Sequence, residues 1–129
     1  MANAATQKTA LPISIWGATA VIPIETTWDT TATDLTIYTP SVTGSTGNMV
    51  AIVGWLYGET TAHTWTFTDG SDAQATIELG ANSGASQGIG ATLLFVTAPG
   101  NALKAQTSVA ITGSVLFYLI EGPRFRNIT

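Results

Sequence analysis

Short runs of β-branched and aromatic residues, cut every few positions by Gly, Asn, Asp, Ser or Pro, fill this chain, and no apolar period near 3.6 is sustained anywhere in it. A chain patterned this way buries its apolar groups across strands, not along helices. The clearest run is His63-Thr64-Trp65-Thr66-Phe67-Thr68, whose strict alternation sets His63, Trp65 and Phe67 on one face and the threonines on the other. Asp69-Gly70 then signals a turn, and Ala75-Thr76-Ile77-Glu78-Leu79 resumes alternation, so the two runs read as a hairpin. Further strands are expected at Leu11–Trp16, Ala20–Thr26, Asp34–Tyr38, Asn48–Tyr57, Ala73–Leu79, Ala91–Val96, Lys104–Ala110 and Gly113–Glu121. The expected fold is all-β: a single antiparallel β-sandwich, jelly-roll-like, of about eight or nine strands with an extended N-terminal arm.

Met49-Val50-Ala51-Ile52-Val53 and Val115-Leu116-Phe117-Tyr118-Leu119-Ile120 break the alternation, being apolar at both parities as for strands buried on both faces. In a two-layer sandwich one of those faces normally meets water. Either a second subunit or a covering loop must keep it dry. Charge favours the subunit: only 9% of the 129 residues are charged, against about 25% in ordinary soluble domains. An exterior so poor in ions repels its neighbours weakly, and assembly is the expectation.

The length suits one domain. Residues 1–10 are small and polar and read as an arm with no core of its own, ordering on a neighbour; residues 11–122 form the sandwich and 123–129 a tail. Pro40–Asn48 and Gly80–Gly90 read as exposed loops, and neither has the helix start and lysine of a phosphate cradle. Met1 to Ala10 lacks the charged and apolar regions of a secretory signal, so export by a cleaved leader is not expected. No stretch approaches the roughly 20 apolar residues of a membrane helix, and no membrane partner is expected.

The net charge of −4 opposes binding to a phosphate backbone, so nucleic acid is not an expected partner. With no cysteine there are no disulfides, thiolate metal sites or cysteine nucleophiles. His63 is the single histidine; a Ser-His-Asp triad would have to be built on it, but no nucleophile elbow is present, and a strand histidine packed beside Trp65 or at a subunit contact is the simpler reading. Asp69 and Asp72 bracket Gly70-Ser71 and could hold calcium with carbonyl help, but without an Asp-x-Asp-x-Asp series and a terminal Glu the preferred reading is hydrated turn carboxylates. Glu25, Asp29, Asp34, Glu59, Glu78 and Glu121 scatter over different elements and mark no glycosidase pair. No catalytic residue, cofactor or metal is assigned, and the chain does not read as an enzyme. Trp16, Trp28, Trp55 and Trp65 could stack sugars or fill the core; Trp28, in Thr26-Thr27-Trp28-Asp29-Thr30-Thr31, is the one expected in an exposed loop.

Trp65-Thr66-Phe67-Thr68-Asp69-Gly70, Thr76-Ile77-Glu78-Leu79, Thr97-Ala98-Pro99-Gly100-Asn101-Ala102-Leu103-Lys104 and Thr112-Gly113-Ser114-Val115 running into Tyr118 together resemble the small β-sandwich decoration, or cement, proteins of tailed-bacteriophage heads. The likeness covers roughly residues 48–121. It implies a virion protein made in the host cytoplasm, a homotrimer or similar ring on the capsid surface, with the arm or a sandwich edge gripping the major capsid protein. Related sandwiches serve as head fibres and tail appendages, so a domain binding a host receptor or glycan is the alternative. Candidate partner contacts are Lys8 on the arm, Trp28, and Arg124, Phe125 and Arg126 in the tail, where arginine can both pair and stack. An idle tail is the other reading.

Overall fold

A computed structural model describes residues 3–29, 34–70, 74–90 and 93–125. Ten strands follow in chain order: β1 Ala4–Gln7, β2 Ile22–Trp28, β3 Leu35–Tyr38, β4 Met49–Glu59, β5 His63–Thr68, β6 Gln74–Leu79, β7 Ser83–Gln87, β8 Phe95–Val96, β9 Leu103–Thr107 and β10 Ile111–Gly122. They form two sheets, one ordered β1-β2-β10-β4-β7 with β8 also on β4, the other β3-β9-β5-β6. Every pairing is antiparallel. The chain is thus an all-β sandwich, and the β5–β6 hairpin has the register its alternation implies, with Trp65 opposite Ile77 and Phe67 opposite Ala75.

Between the sheets, Trp28, Trp55, Trp65, Phe67 and Phe117 pack edge to face and offset. Trp28 meets Trp65 at 4.9 Å between ring centres and 84° between planes, and Trp55 meets Trp65 at 5.6 Å and 86°. Such crossed geometries satisfy the ring quadrupoles and add about 0.5–1.5 kcal/mol per pair beyond area burial. Trp28 is therefore not in an exposed loop. It ends β2 with 1% of its surface accessible, its Nε1–H donating to Thr26 Oγ1 at 2.7 Å, while Thr26 donates to the Val115 carbonyl at 2.9 Å. The threonines around it have strand propensity, and their polarity made an inward register look like a loop.

A second apolar cluster lies outside the large sheet. Val50 and Ile52 of β4 point between the sheets, whereas Ala51 and Val53 point outward and join Ile120 and the flanking Ala18 and Val21. The cover over this outer face comes from the chain itself: Leu11, Ile15 and Trp16 on one side, Ile89, Leu93 and Val96 on another, and Phe125 from the tail. Of the two explanations for the doubly apolar strands, the covering loop is the one realised. Residues 11–21 accordingly do not form the expected Leu11–Trp16 strand. They make only the isolated bridges Leu11↔Val21 and Ile15↔Ala18, and turn back at Trp16 and Gly17, with φ of 54° and 87°. Their apolar pattern is a lid pattern, and Pro12 has no N–H to give a ladder.

Two further segments differ from expectation. The described part of the arm, residues 3–10, does not stand free, because Ala4–Gln7 pairs with Thr27–Ile24 and Ala5 packs on the core. Within the 80–90 loop, Ser83–Gln87 is a strand opposite Glu59–Trp55. Gly84 permits it: a Cβ there would lie 2.2 Å from the Tyr57 carbonyl oxygen, inside any tolerable contact.

Candidate functional site

His63, Glu25, Glu59, Asp69 and Glu121, which sequence marked for chemistry, are held in structural roles. His63 is buried, and its Nδ1 lies 2.7 Å from the Thr61 carbonyl oxygen, which can only accept, so Nδ1 carries a proton and donates. With one proton on the ring, Nε2 accepts from the Tyr57 hydroxyl at 2.6 Å, and that hydroxyl accepts from Trp65 Nε1–H at 2.9 Å. Burial raises the Tyr57 phenol above its ordinary range, and the Glu59 charge adds to the rise against the opposing Trp65 bond. The imidazole packs edge-on against Tyr57 at 5.5 Å, in the aromatic cluster that contains Trp65. This chain of hydrogen bonds locks β4 to β5 and offers no lone pair to a serine.

The carboxylates are likewise engaged. Glu59 accepts from the backbone N–H of Thr112 at 2.9 Å and of Thr61 at 3.1 Å, and these bonds, Thr112 first, hold its carboxyl below the ordinary range. Glu121 accepts from Tyr38 Oη at 2.5 Å, from Ser41 N at 2.9 Å and Oγ at 3.1 Å, and from Asn48 Nδ2 at 3.1 Å. Burial opposes ionisation of Glu121, yet these donors outweigh it and leave the carboxyl below its usual value. Burial first, and then Glu121, push the Tyr38 phenol up. Glu25 is lowered by Lys8, whose Nζ stands 2.9 Å away, and by Ser114. Asp69 accepts from Ala98 N at 2.9 Å and Asn101 Nδ2 at 3.2 Å, closing the Pro99-Gly100 turn; Asp72, its expected calcium partner, lies outside the described residues. Among the described residues no three His, Cys, Asp or Glu gather as a metal site.

The candidate partner contacts fall in separate places. Lys8 is bridged to Glu25 on the large sheet. Trp28 is interior, and Trp55 and Trp65 are interior with it, while half-buried Trp16 packs on the outer cluster. Arg124 is exposed, Phe125 lies against the outer cluster, and Arg126 lies outside the described residues. Lys8, Trp28 and Phe125 thus lie in three separate places: on the large sheet, in the core and on the outer cluster.

Sequence reasoning missed the surface that is left over. At the β6 and β7 side the sandwich gapes, and a cavity of about 350 Å³ opens between the sheets. Trp55, Phe67 and Phe95 line its depth, and Ile77 and Leu94, 38% and 40% exposed, stand at its mouth. The buried Trp55 Nε1–H has no hydrogen-bond partner among the described residues. Around β7 the surface continues onto the outer face as an open groove along Leu56, Gly58, Gly84 and Ser86, with Leu56 44% exposed. The slot and the groove share Gly84, Ala85 and Ser86, so the apolar surface wraps the strand. Among the described residues β7 pairs only with β4, and β6 only with β5, so each keeps one backbone edge unpaired there. A signal was present in the Ser-Gly-Ala-Ser-Gln run, which carries no charge or proline, but its small residues read as loop.

Compared with known proteins, the chain matches no family model, no curated protein and no solved structure.

Proposed function

We propose that this chain is a structural, surface-binding protein that assembles on a larger lattice, and that its place is the outside of a tailed-phage head, where it ties capsid subunits together. The observation that carries the reading is the neutral apolar surface around β7, left uncovered while the ionisable side chains described above serve the fold. Exposed apolar surface beside an open sheet edge, with Glu59 as its one charged lining residue, is suited to burial against protein. The sparse charge and the resemblance of residues 48–121 to head-decoration proteins point the same way. Support for assembly no longer comes from the doubly apolar strands, whose outer faces the chain covers itself.

A protein of this kind stabilises a shell by mass action, because it binds the assembled lattice and so shifts the balance away from disassembly. The test is addition of purified protein to shells that lack it. Saturable binding with DNA retained to a higher temperature is the expected result, and shells that neither bind it nor gain heat resistance refute the reading. A glycan-binding appendage finds less support, since Trp28, Trp55 and Trp65, which would have to stack on sugar rings, lie within the core.

A further inference from the structure

We infer that the free edge of β7 is a self-recognition surface, at which two copies of the chain pair antiparallel about a two-fold axis through Ala85 and close both intersheet slots. The inference rests on the assembly reading above and names a second copy, not the lattice, as what covers the β7 surface, so that the paired unit meets the lattice by its other faces. It gives a two-fold contact where the resemblance implies a three-fold ring.

Backbone chemistry comes first. Ser83–Gln87 is hydrogen-bonded to β4 along one side, and its other side presents N–H and C=O groups that only another extended backbone satisfies in register. Native edges are normally guarded by lysine, proline or a bulge, and Ser-Gly-Ala-Ser-Gln has no Lys or Pro. Pairing about Ala85 sets Ser83 against Gln87 and Gly84 against Ser86 of the other copy. Gly84, Ala85 and Ser86 at the centre are small enough to let the flanking apolar groups meet. Those groups are already concentrated here: Leu56, Ile77 and Leu94 are three of the five large hydrophobic side chains that stand exposed among the described residues.

Charge selects a second copy as the occupant. Each chain carries a net charge of −4, so copies repel over most approaches. The slot is lined by no charged residue, and the groove only by Glu59, whose two oxygens already accept from Thr112 and Thr61. Glu78 sits on the face of β6 opposite Ala75 and Ile77, away from the slot. Two acidic copies therefore meet with least repulsion at this edge, and an acidic or basic partner finds nothing there to pair with. The surface is also its own complement under a two-fold operation, as an isologous contact requires.

The chain has no cysteine, so Ala85→Cys introduces a single thiol on the proposed axis. Directly opposed residues of an antiparallel pair have Cα atoms about 4.5–5.5 Å apart, within the roughly 4.4–6.8 Å that a disulfide spans. Mild oxidation should convert most of A85C to a covalent dimer, while Thr43→Cys, in the exposed 41–46 loop, stays monomeric under the same conditions. Sedimentation of the unmodified protein should show a dimer that dissociates on dilution. Leu94→Asp should weaken it by about 100-fold or more, with circular dichroism and melting verifying that the variant is folded. Unmodified protein that stays monomeric at all attainable concentrations, or A85C that links no faster than T43C, overturns the inference. A monomer that still coats shells overturns self-pairing alone and leaves the decoration reading standing; a dimer that ignores shells supports self-pairing and removes that reading.

Discussion

The two open sides of this sandwich are finished differently. On the side bounded by β1 and β3, polar groups stand at the surface, and one hydrogen bond joins the two sheets. Lys8 bridges Glu25 beside β1, Tyr38 at the end of β3 reaches across to Glu121 of β10, and the 290 Å³ recess there is lined by Gln7, Thr36, Tyr38 and Thr39 among others. On the side bounded by β6 and β7, aromatic rings line the slot, Ile77 and Leu94 stand at its mouth, and no charged group lines it. The first side is built to face water. The second carries a desolvation gain not yet collected, since each buried methylene is worth about 0.8 kcal/mol once covered. Two edges of one small domain thus differ in what they require from outside it.

The largest effects should come from core aromatics that border these sides unequally. Trp28→Ala, on β2 and fully enclosed, should cost about 3–5 kcal/mol in denaturant unfolding. Trp55→Ala, beside the slot, should cost about 3 kcal/mol, because a wall already next to a void loses fewer contacts. Equal or inverted costs would mean the slot is as well packed as the opposite side, and the contrast would break.

Next comes Gly84→Ala. The added methyl would meet the Tyr57 carbonyl at 2.2 Å, and strain of this kind costs about 1–3 kcal/mol. Amide hydrogen exchange should quicken in β7 and remain slow in β1. Uniform change on both sides would show that β7 is not independently anchored.

Removing the clasp on the polar side should be milder. Glu121→Gln keeps the shape but weakens the bonds to Tyr38, Ser41 and Asn48, for about 1–2 kcal/mol at neutral pH. The pH dependence has a definite sign. Glu121 and Glu59 are both held below their unfolded value, so each stabilises the fold above that value, about pH 4.3–4.5, and the stabilisation is lost as pH falls through the lower folded value. Melting midpoints should therefore be level above about pH 5 and decline below it, and Glu121→Gln should flatten that acid limb. An acid limb unchanged in the variant would assign the loss to other carboxylates.

The smallest effect is expected at Lys8→Ala. Its bridge to Glu25 is solvent-exposed on both partners, with 50% and 38% of the side chains accessible, and such pairs contribute little. No measurable change in melting midpoint is expected, and a clear drop would reveal that the polar side depends on its ion pair.

Part of this was legible in the residues alone. Strict alternation located the β5–β6 hairpin and put Trp65 and Phe67 inside, because the two-residue repeat of a strand is a local property. The runs at 49–53 and 115–120 announced burial on both faces for the same reason. What covers those faces was not legible. The lid of residues 11–21, the side chains of Ile89, Leu93 and Val96, and Phe125 come from distant stretches of chain, and an apolar residue does not encode whether its neighbour is its own chain or another. Trp28 and β7 were misread because threonine, serine and glycine are shared by loops and by strands whose partners supply the order.

Sequence by itself determined an all-β chain, its strand alternation, and an exterior short of charge. Tertiary structure alone decided which ionisable groups became braces, that the outer face around Ala51, Val53 and Ile120 is closed from within, and that the bare apolar surface ends up around β7. The division has a physical cause. Propensity and periodicity act over a few residues, whereas solvent exclusion is settled only when segments far apart in the chain compete for the same face.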